Sequence, residues 1–444
     1  MFDPRSRRRD RLLPSFLLFC SCLLLLTGCL APVVGGEQRV PLPTRSPVPA
    51  ATSAALSLQT DDEIARALVQ KLTLDQKLGQ MVISEFYGSQ LSGDLRQMIQ
   101  GSQIGGVLIE NKNGNARTRT QLIDLNQAMQ SQTGIPLFIS TDFEGGPVNE
   151  LRLITGARPS EAALGATGST RVVYNAGRNA ARDLSALGLN MNYMPIVDVL
   201  TNANNPGLID RTFGAQPALV TALGRAYLQG LTAGGVIGCL KHFPGLGSAS
   251  VDPHKSLPSM DRNLATLDAI DLLPYRTLIN EGLVPMVMVT HILNPQLDPR
   301  LPTSLSPNVV TGLLRTRLHF KGVIISDTLW MGGISNTYSL SQAAILAINA
   351  GTNLLLGPRG LQETRTMLAG LKRALASGAI ALEKINTSVR LILQMKLDAK
   401  ILSRTQALRM LGEGSGTMTP AGDSATVLWS TLAQLVADVR RMLA

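Results

Sequence analysis

The residues best suited to chemistry in this chain are a few carboxylates and three of its four histidines. Lys241-His242-Phe243-Pro244-Gly245 is followed by Asp252-Pro253-His254, and His291 comes later. Carboxylates stand in Thr141-Asp142-Phe143-Glu144-Gly145-Gly146, at Asp198, in Asp210-Arg211-Thr212-Phe213-Gly214 and in Ser326-Asp327. An Asp two residues from a His can hydrogen-bond the imidazole, fix its tautomer and raise its pKa, which equips the ring to carry a proton. Asp327 follows an apolar run, a rigid mount for a carboxylate nucleophile. Asp252-Pro253-His254 alone would suit an ordinary turn. With Lys241-His242 before it and Asp327 after it, catalysis is the better reading. No His pair has the His-x-x-x-His or His-Glu spacing of a zinc site, so neither a metal nor another cofactor is expected.

These residues need a scaffold that brings distant segments to one rim. Short apolar runs occur at 80–83, 105–109, 136–140, 191–195, 236–240, 285–289, 322–325 and 353–356. Long helical patterns separate them, for example at 171–187, 219–233 and 267–281. Eight such units predict an α/β fold, a single TIM (β/α)8 barrel at about 57–403, whose catalytic groups stand at the C-terminal ends of the strands. The candidate residues fall there, with Glu85 as the one notable group after the first run. An open doubly wound sheet is disfavoured by the eight units and by the lack of a Gly-rich dinucleotide fingerprint. Leu72-Thr73-Leu74-Asp75-Gln76 carries the Thr and Gln of a capping box that opens a helix.

The flanks have other jobs. Arg5, Arg7, Arg8, Arg9 and Arg11 precede an apolar stretch at 12–26, too short to span a membrane comfortably. It ends in Leu26-Thr27-Gly28-Cys29, which resembles the lipobox of bacterial lipoproteins. That resemblance implies a signal peptide at 1–28, removed to leave lipid on Cys29 and the protein exported, anchored on the outer face of the cell membrane. Residues 29–56 are rich in Pro, including Pro41, Pro43, Pro47 and Pro49, and read as a tether. Residues 404–444 read as a Gly/Ser/Thr-rich linker and a short helical tail, with Leu428, Leu432, Leu435, Val436 and Val439 on one side. With Cys20 and Cys22 in the leader and Cys29 lipidated, Cys239 has no disulfide partner. The net charge is +10; the leader holds five Arg and two Asp, so +7 remains without it. That balance fits an anionic envelope surface, and equally an ordinary alkaline one. Aromatics are only 4%, and no nucleic-acid motif occurs, so nucleic acid is excluded as a partner. A monomer is expected.

As a set, these motifs resemble glycoside hydrolase family 3, most of all its β-N-acetylglucosaminidase (β-N-acetylhexosaminidase) branch. The resemblance rests on Lys241-His242-Phe243-Pro244-Gly245 with Asp252-x-His254 and Leu257-Pro258, on Gly322-Val323-Ile324-Ile325-Ser326-Asp327, on Asp142-x-Glu144-Gly145-Gly146, on Asp210-Arg211-Thr212-Phe213-Gly214, and on the helix beginning near Leu72. It implies a retaining exo-glycosidase that removes terminal β-N-acetylglucosamine from cell-wall or other glycans. Asp327 would be the nucleophile, and His254 held by Asp252 the acid/base on a mobile loop. Asp142, Arg211, Lys241, His242 and His291 would hold the sugar; Lys241 and Arg211 would also suit rim ion pairs with Asp210 or Asp198. The chain departs from the family pattern at Pro147 and Glu150, where Arg is usual, with Arg152 two residues out of register. It departs again at Leu246, usually His or another polar residue, and at Asn353, usually Asp. Alternatives are a β-glucosidase or β-xylosidase of the wider family, or a non-catalytic glycan-binding lipoprotein.

Overall fold

The computed structural model describes residues 60–412. The expected signal peptide, Cys29, the tether and the tail helix lie outside the described residues. Two helices open the fold, Asp61–Lys71 and Leu74–Gln80, each on a capping box. The one expected at Thr73 is present in both halves: Gln76 N–H donates to Thr73 Oγ1 at 3.3 Å and Thr73 N–H to Gln76 Oε1 at 2.8 Å.

The barrel strands are β1 (Val82–Glu85), β2 (Gly106–Ile109), β3 (Phe138–Thr141), β6 (Met191–Asn192), β7 (Ile237–Phe243), β8 (Met286–Val289), β9 (Val323–Ser326) and β10 (Leu355–Arg359). They form one parallel sheet in the order β10-β1-β2-β3-β6-β7-β8-β9. A bridge between Ile325 and Leu354 brings β9 to β10 and closes the ring. Helices cover the outside and side chains fill the inside, so the strands are apolar on both faces. That is why they read as continuous runs in the sequence: β2, β3, β8 and β9 are buried at every residue.

Two elements differ from expectation. The fourth run, 191–195, gives only a two-residue strand, because Pro195 has no N–H to donate to a ladder. The pattern at 267–281 gives two helices, Leu264–Ala269 and Leu273–Asn280. Pro274 sits in the first turn of the second, where its missing N–H costs nothing, and cannot continue the first. Just past the expected boundary at 403, a helix at Arg404–Leu411 lies near the first helix, with Gln406 Nε2 donating to Gly134 O at 3.0 Å.

After β3 the chain folds into a hairpin, β4 (Phe143–Gly145) and β5 (Val148–Asn149), that stands on the C-terminal rim. Gly145 and Gly146 turn it at φ 88° and 53°. A Cβ at Gly145 would come 2.1 Å from Pro159 O, so glycine is required there for space as well as for dihedral.

Candidate active site

The loops at the C-terminal rim enclose one open cavity of about 230 Å³. Asp142, Arg211, Lys241, His242, Asp252, His254 and Asp327 all line it. Those seven sequence candidates are therefore brought together from the end of β7 and from loops after β3, β6, β7 and β9.

At its centre is a buried charge network. Lys241 is near the end of β7 and 2% exposed. Its Nζ donates to Asp142 at 2.6 Å and to Glu144 at 2.6 Å. Glu144, on the hairpin, also accepts from Arg211 Nε at 2.8 Å and Nη2 at 2.9 Å. This is the two-pronged geometry that guanidinium and carboxylate share. Burial opposes charge on Glu144, yet Arg211 and Lys241 outweigh it and hold its carboxyl far below the ordinary range. For Lys241 the same contest ends the same way: burial disfavours the ammonium, Asp142 and Glu144 win, and its pKa rises. The partners of the two cations are thus Glu144 and Asp142, not Asp198 or Asp210.

Asp198 has another task. It accepts from His242 Nδ1 at 2.7 Å, from His242 N at 3.2 Å and from Leu246 N at 2.6 Å. It so fixes both the imidazole and the chain after β7. Leu246 is 2% exposed and part of the apolar floor. Gly247 follows because a Cβ there would fall 1.8 Å from Val199 O.

The loop from β7 then carries Asp252 and His254. His254 Nδ1 is 2.7 Å from Asp252 Oδ1, and His254 N donates to the same oxygen at 3.0 Å. Burial raises the Asp252 pKa, but these contacts outweigh it and hold the carboxylate ionised. The imidazole itself is 54% exposed and lines the cavity. Asp327 lies deeper, 8% exposed, one residue past β9. Its Oδ1 accepts from Thr328 N at 2.8 Å, and Thr290 Oγ1 is 3.4 Å from Oδ2. Burial pushes its pKa up; positive charge on His291, His242 and His254 and the Thr328 amide push it further down.

His291 is not brought to the cavity. It is fully buried, with Nδ1 2.7 Å from Ser304 Oγ and Nε2 3.1 Å from Thr328 O. Burial lowers its pKa, with the nearby Asp327 opposing that. It braces the residue after Asp327 from behind. A position just past β8 predicts a sugar-binding ring at the rim; packing instead turns it to Ser304 and Thr328.

Residues 73–395 match the glycosyl hydrolase family 3 N-terminal domain. The chain belongs to glycosyl hydrolase family 3. Among relatives, β-hexosaminidase A of Pseudoalteromonas piscicida is 32% identical over 374 residues, 75% of this chain and 62% of that one. The chain thus spans under two thirds of that relative. β-Hexosaminidase LpqI of Mycobacterium tuberculosis is 34% identical over 332 residues, 72% of this chain and 82% of that one. A family 3 β-N-acetylglucosaminidase structure from Paenibacillus sp. superposes with a TM-score of 0.71 at 34% identity, covering 80% of this chain and 65% of that one.

The cavity has a second wall that the candidate residues above left out. Glu85 ends β1 and Glu110 follows β2; Asn113 Nδ2 donates to both at 2.9 Å. Lys112 pairs with Glu110 at 2.9 Å and lies over the Trp330 ring, 4.8 Å from its centroid, while Trp330 donates to Glu85. Burial and the adjacent Glu85 outweigh Lys112 and raise the Glu110 pKa to about 8. Glu150 also lines the cavity, accepting from Asn111 N at 2.6 Å. Arg152 does not take an inward role: its guanidinium donates to Gly146 O at the surface. Asn353 is remote from the cavity. Its Oδ1 accepts from Ile324 N at 2.9 Å and from Arg315, a structural tie at the base of β9. Glu110 had a usable signal, a carboxylate directly after an apolar run, as Glu85 did.

Proposed function

We propose that the protein is a retaining exo-β-N-acetylhexosaminidase that releases terminal β-N-acetylglucosamine from cell-wall or other glycans. One observation carries this reading: an ionised, rigidly held Asp327 and an Asp-bound imidazole at His254 open into the same small cavity from different loops. Asp327 attacks the anomeric carbon and the glycosidic C–O bond breaks, while His254 gives its proton to the leaving oxygen. A glycosyl-Asp327 ester forms with inversion. His254, now neutral, takes a proton from water, whose oxygen attacks the same carbon and frees Asp327; the second inversion gives net retention. Asp252 stabilises the imidazolium before it donates.

Asp142, Arg211, Lys241 and His242 hold the sugar hydroxyls and the acetamido group. Their charges are already paired, so the groups are fixed before substrate arrives and lose little order on binding. His291 acts as a positioning residue through Thr328. A chromogenic aryl N-acetyl-β-glucosaminide should be cleaved with retention, and a 2-deoxy-2-fluoro glycoside should label Asp327. Absence of turnover on every N-acetylhexosaminide, or turnover that survives Asp327→Ala, overturns the reading. A panel of aryl glucosides and xylosides separates it from the other family 3 activities, and sugar binding without labelling marks a non-catalytic binder.

We further propose that the chain is exported and held at the membrane by lipid on Cys29, on the strength of the Arg-rich leader and Leu26-Thr27-Gly28-Cys29. Among the described residues no helix is long and apolar enough to cross a membrane. Incorporation of radiolabelled palmitate, lost in Cys29→Ala, is the expected result; equal labelling of both refutes it.

A further inference from the structure

We propose that Glu150 is a specificity-determining residue that recognises a protonated amine on the sugar, so that hexosaminides with an unacylated nitrogen are substrates alongside N-acetylated ones. This rests on the glycosidase reading of the same cavity and deepens it.

Charge within that cavity is unevenly paired. Each of its permanent cations already has a carboxyl partner within the protein: Arg211 has Glu144, Lys241 has Asp142 and Glu144, and Lys112 is held against the Glu110 carboxyl at 2.9 Å and over the Trp330 ring. None of these ion pairs reaches Glu150. One of its oxygens takes the Asn111 amide at 2.6 Å, and among the described residues no cation lies within ion-pair distance of either. The nearest Arg in sequence, Arg152, is turned outward onto Gly146 O. A half-buried carboxylate in a substrate cavity with no cation of its own is a vacancy for a cationic ligand.

Hexosamines offer such a group. An unacylated amine is protonated near neutral pH and presents three N–H donors and a charge. An acetamido group presents one N–H and a carbonyl oxygen, which is an acceptor facing an acceptor. Independent support comes from the electrostatics: burial, then Asp142 and Glu144, push the Glu150 pKa up despite the Asn111 amide and Lys112. An arriving ammonium reverses that strain. Loss of a charge-assisted hydrogen bond of this kind is worth roughly a 10- to 100-fold change in relative specificity.

The test measures kcat/KM of the full chain at about pH 6 on 4-nitrophenyl β-glucosaminide and on its N-acetylated analogue. The readout is the ratio of the two. Glu150→Gln, of nearly equal size, should lower the glucosaminide-to-N-acetylglucosaminide ratio about 10- to 100-fold, and Glu150→Asp, which keeps the charge, should retain most of it. A ratio unchanged in Glu150→Gln overturns the proposal, as does a wild type that cleaves only the N-acetylated glycoside. If neither glycoside is cleaved, the glycosidase reading fails and calorimetry decides this one separately. Binding of D-glucosamine that is tighter than that of N-acetyl-D-glucosamine and is lost in Glu150→Gln supports it; no difference between the sugars or the variants overturns it.

Discussion

Glu144→Gln probes the charge network most directly. The wild-type carboxylate is 2% exposed and receives three charge-assisted hydrogen bonds, two from Arg211 and one from Lys241. Glutamine keeps the size and loses the charge. Arg211 is then left in a largely buried place with neutral acceptors alone, the Gly207 carbonyl at 2.6 Å and the amide oxygen, and no counter-charge. Lys241 is better off, since Asp142 remains at 2.6 Å. Removing one partner of a buried ion pair typically costs about 3–5 kcal/mol, because the other charge stays desolvated. Lys241's second partner puts the expected loss near the lower end. Unfolding entropy scales at about 2 cal/mol/K per residue, so for roughly 350 described residues about 3–5 kcal/mol corresponds to a melting point about 4–7 °C lower.

Two further dependences tie this loss to the Glu144 charge. The Glu144 pKa is depressed in the fold, so its contribution is present above the ordinary value of 4.5 and lost as pH falls through the folded value. The deficit of Glu144→Gln should therefore be full at pH 7 and shrink below about pH 4. Adding Arg211→Gln removes the stranded charge, so the double variant should lie within about 1 kcal/mol of Glu144→Gln rather than at the sum of the singles. Thermal melts followed by circular dichroism at pH 7 and pH 3.5 measure both. A shift under about 1 °C, a deficit unchanged with pH, or strict additivity would each show that Glu144 is not the hub of the network.

Asp252→Asn removes the charge that steadies the His254 imidazolium while leaving an acceptor in place. On a glycoside with a poor leaving group kcat/KM should fall about 100- to 1,000-fold. A nitrophenyl substrate, which hardly needs an acid, should lose much less; equal losses on both refute the acid role. Glu110 titrates the other way from Glu144: its folded pKa of about 8 lies above the ordinary 4.5, so the folded state keeps a proton that the unfolded chain has released between those values. Stability should fall as pH rises through that window, by at most about 5 kcal/mol, and Glu110→Gln should flatten the decline in denaturant midpoints between pH 5 and 8. An identical slope in the variant would place the raised pKa elsewhere.

How far the sequence reached follows from which forces are local. Strands buried on both faces must be apolar throughout, so β2, β3, β8 and β9 announced themselves as runs, and the rule that chemistry sits at strand ends pointed to Asp327 and Lys241. The Asp252–His254 bond spans two residues and was legible for the same reason. Lys241 and its partners are 97 and 99 residues apart, and nothing local marks Glu144 rather than Asp198 or Asp210 as the anchor of Arg211. His291 shows the converse limit. It lies two residues past β8, where a rim position was rightly read, yet packing turned it behind Asp327 to Ser304 and Thr328. Side-chain direction at a strand end depends on the neighbouring strands, which the sequence of one strand does not contain. The departures from the family pattern divide along the same line. Asn353 faces packed interior, where an amide ties down the base of β9, and Leu246 packs an alkyl group into the cavity floor at 2% exposure. Glu150 faces the cavity, where no packing demand explains a carboxylate, so its reason has to be sought in what enters.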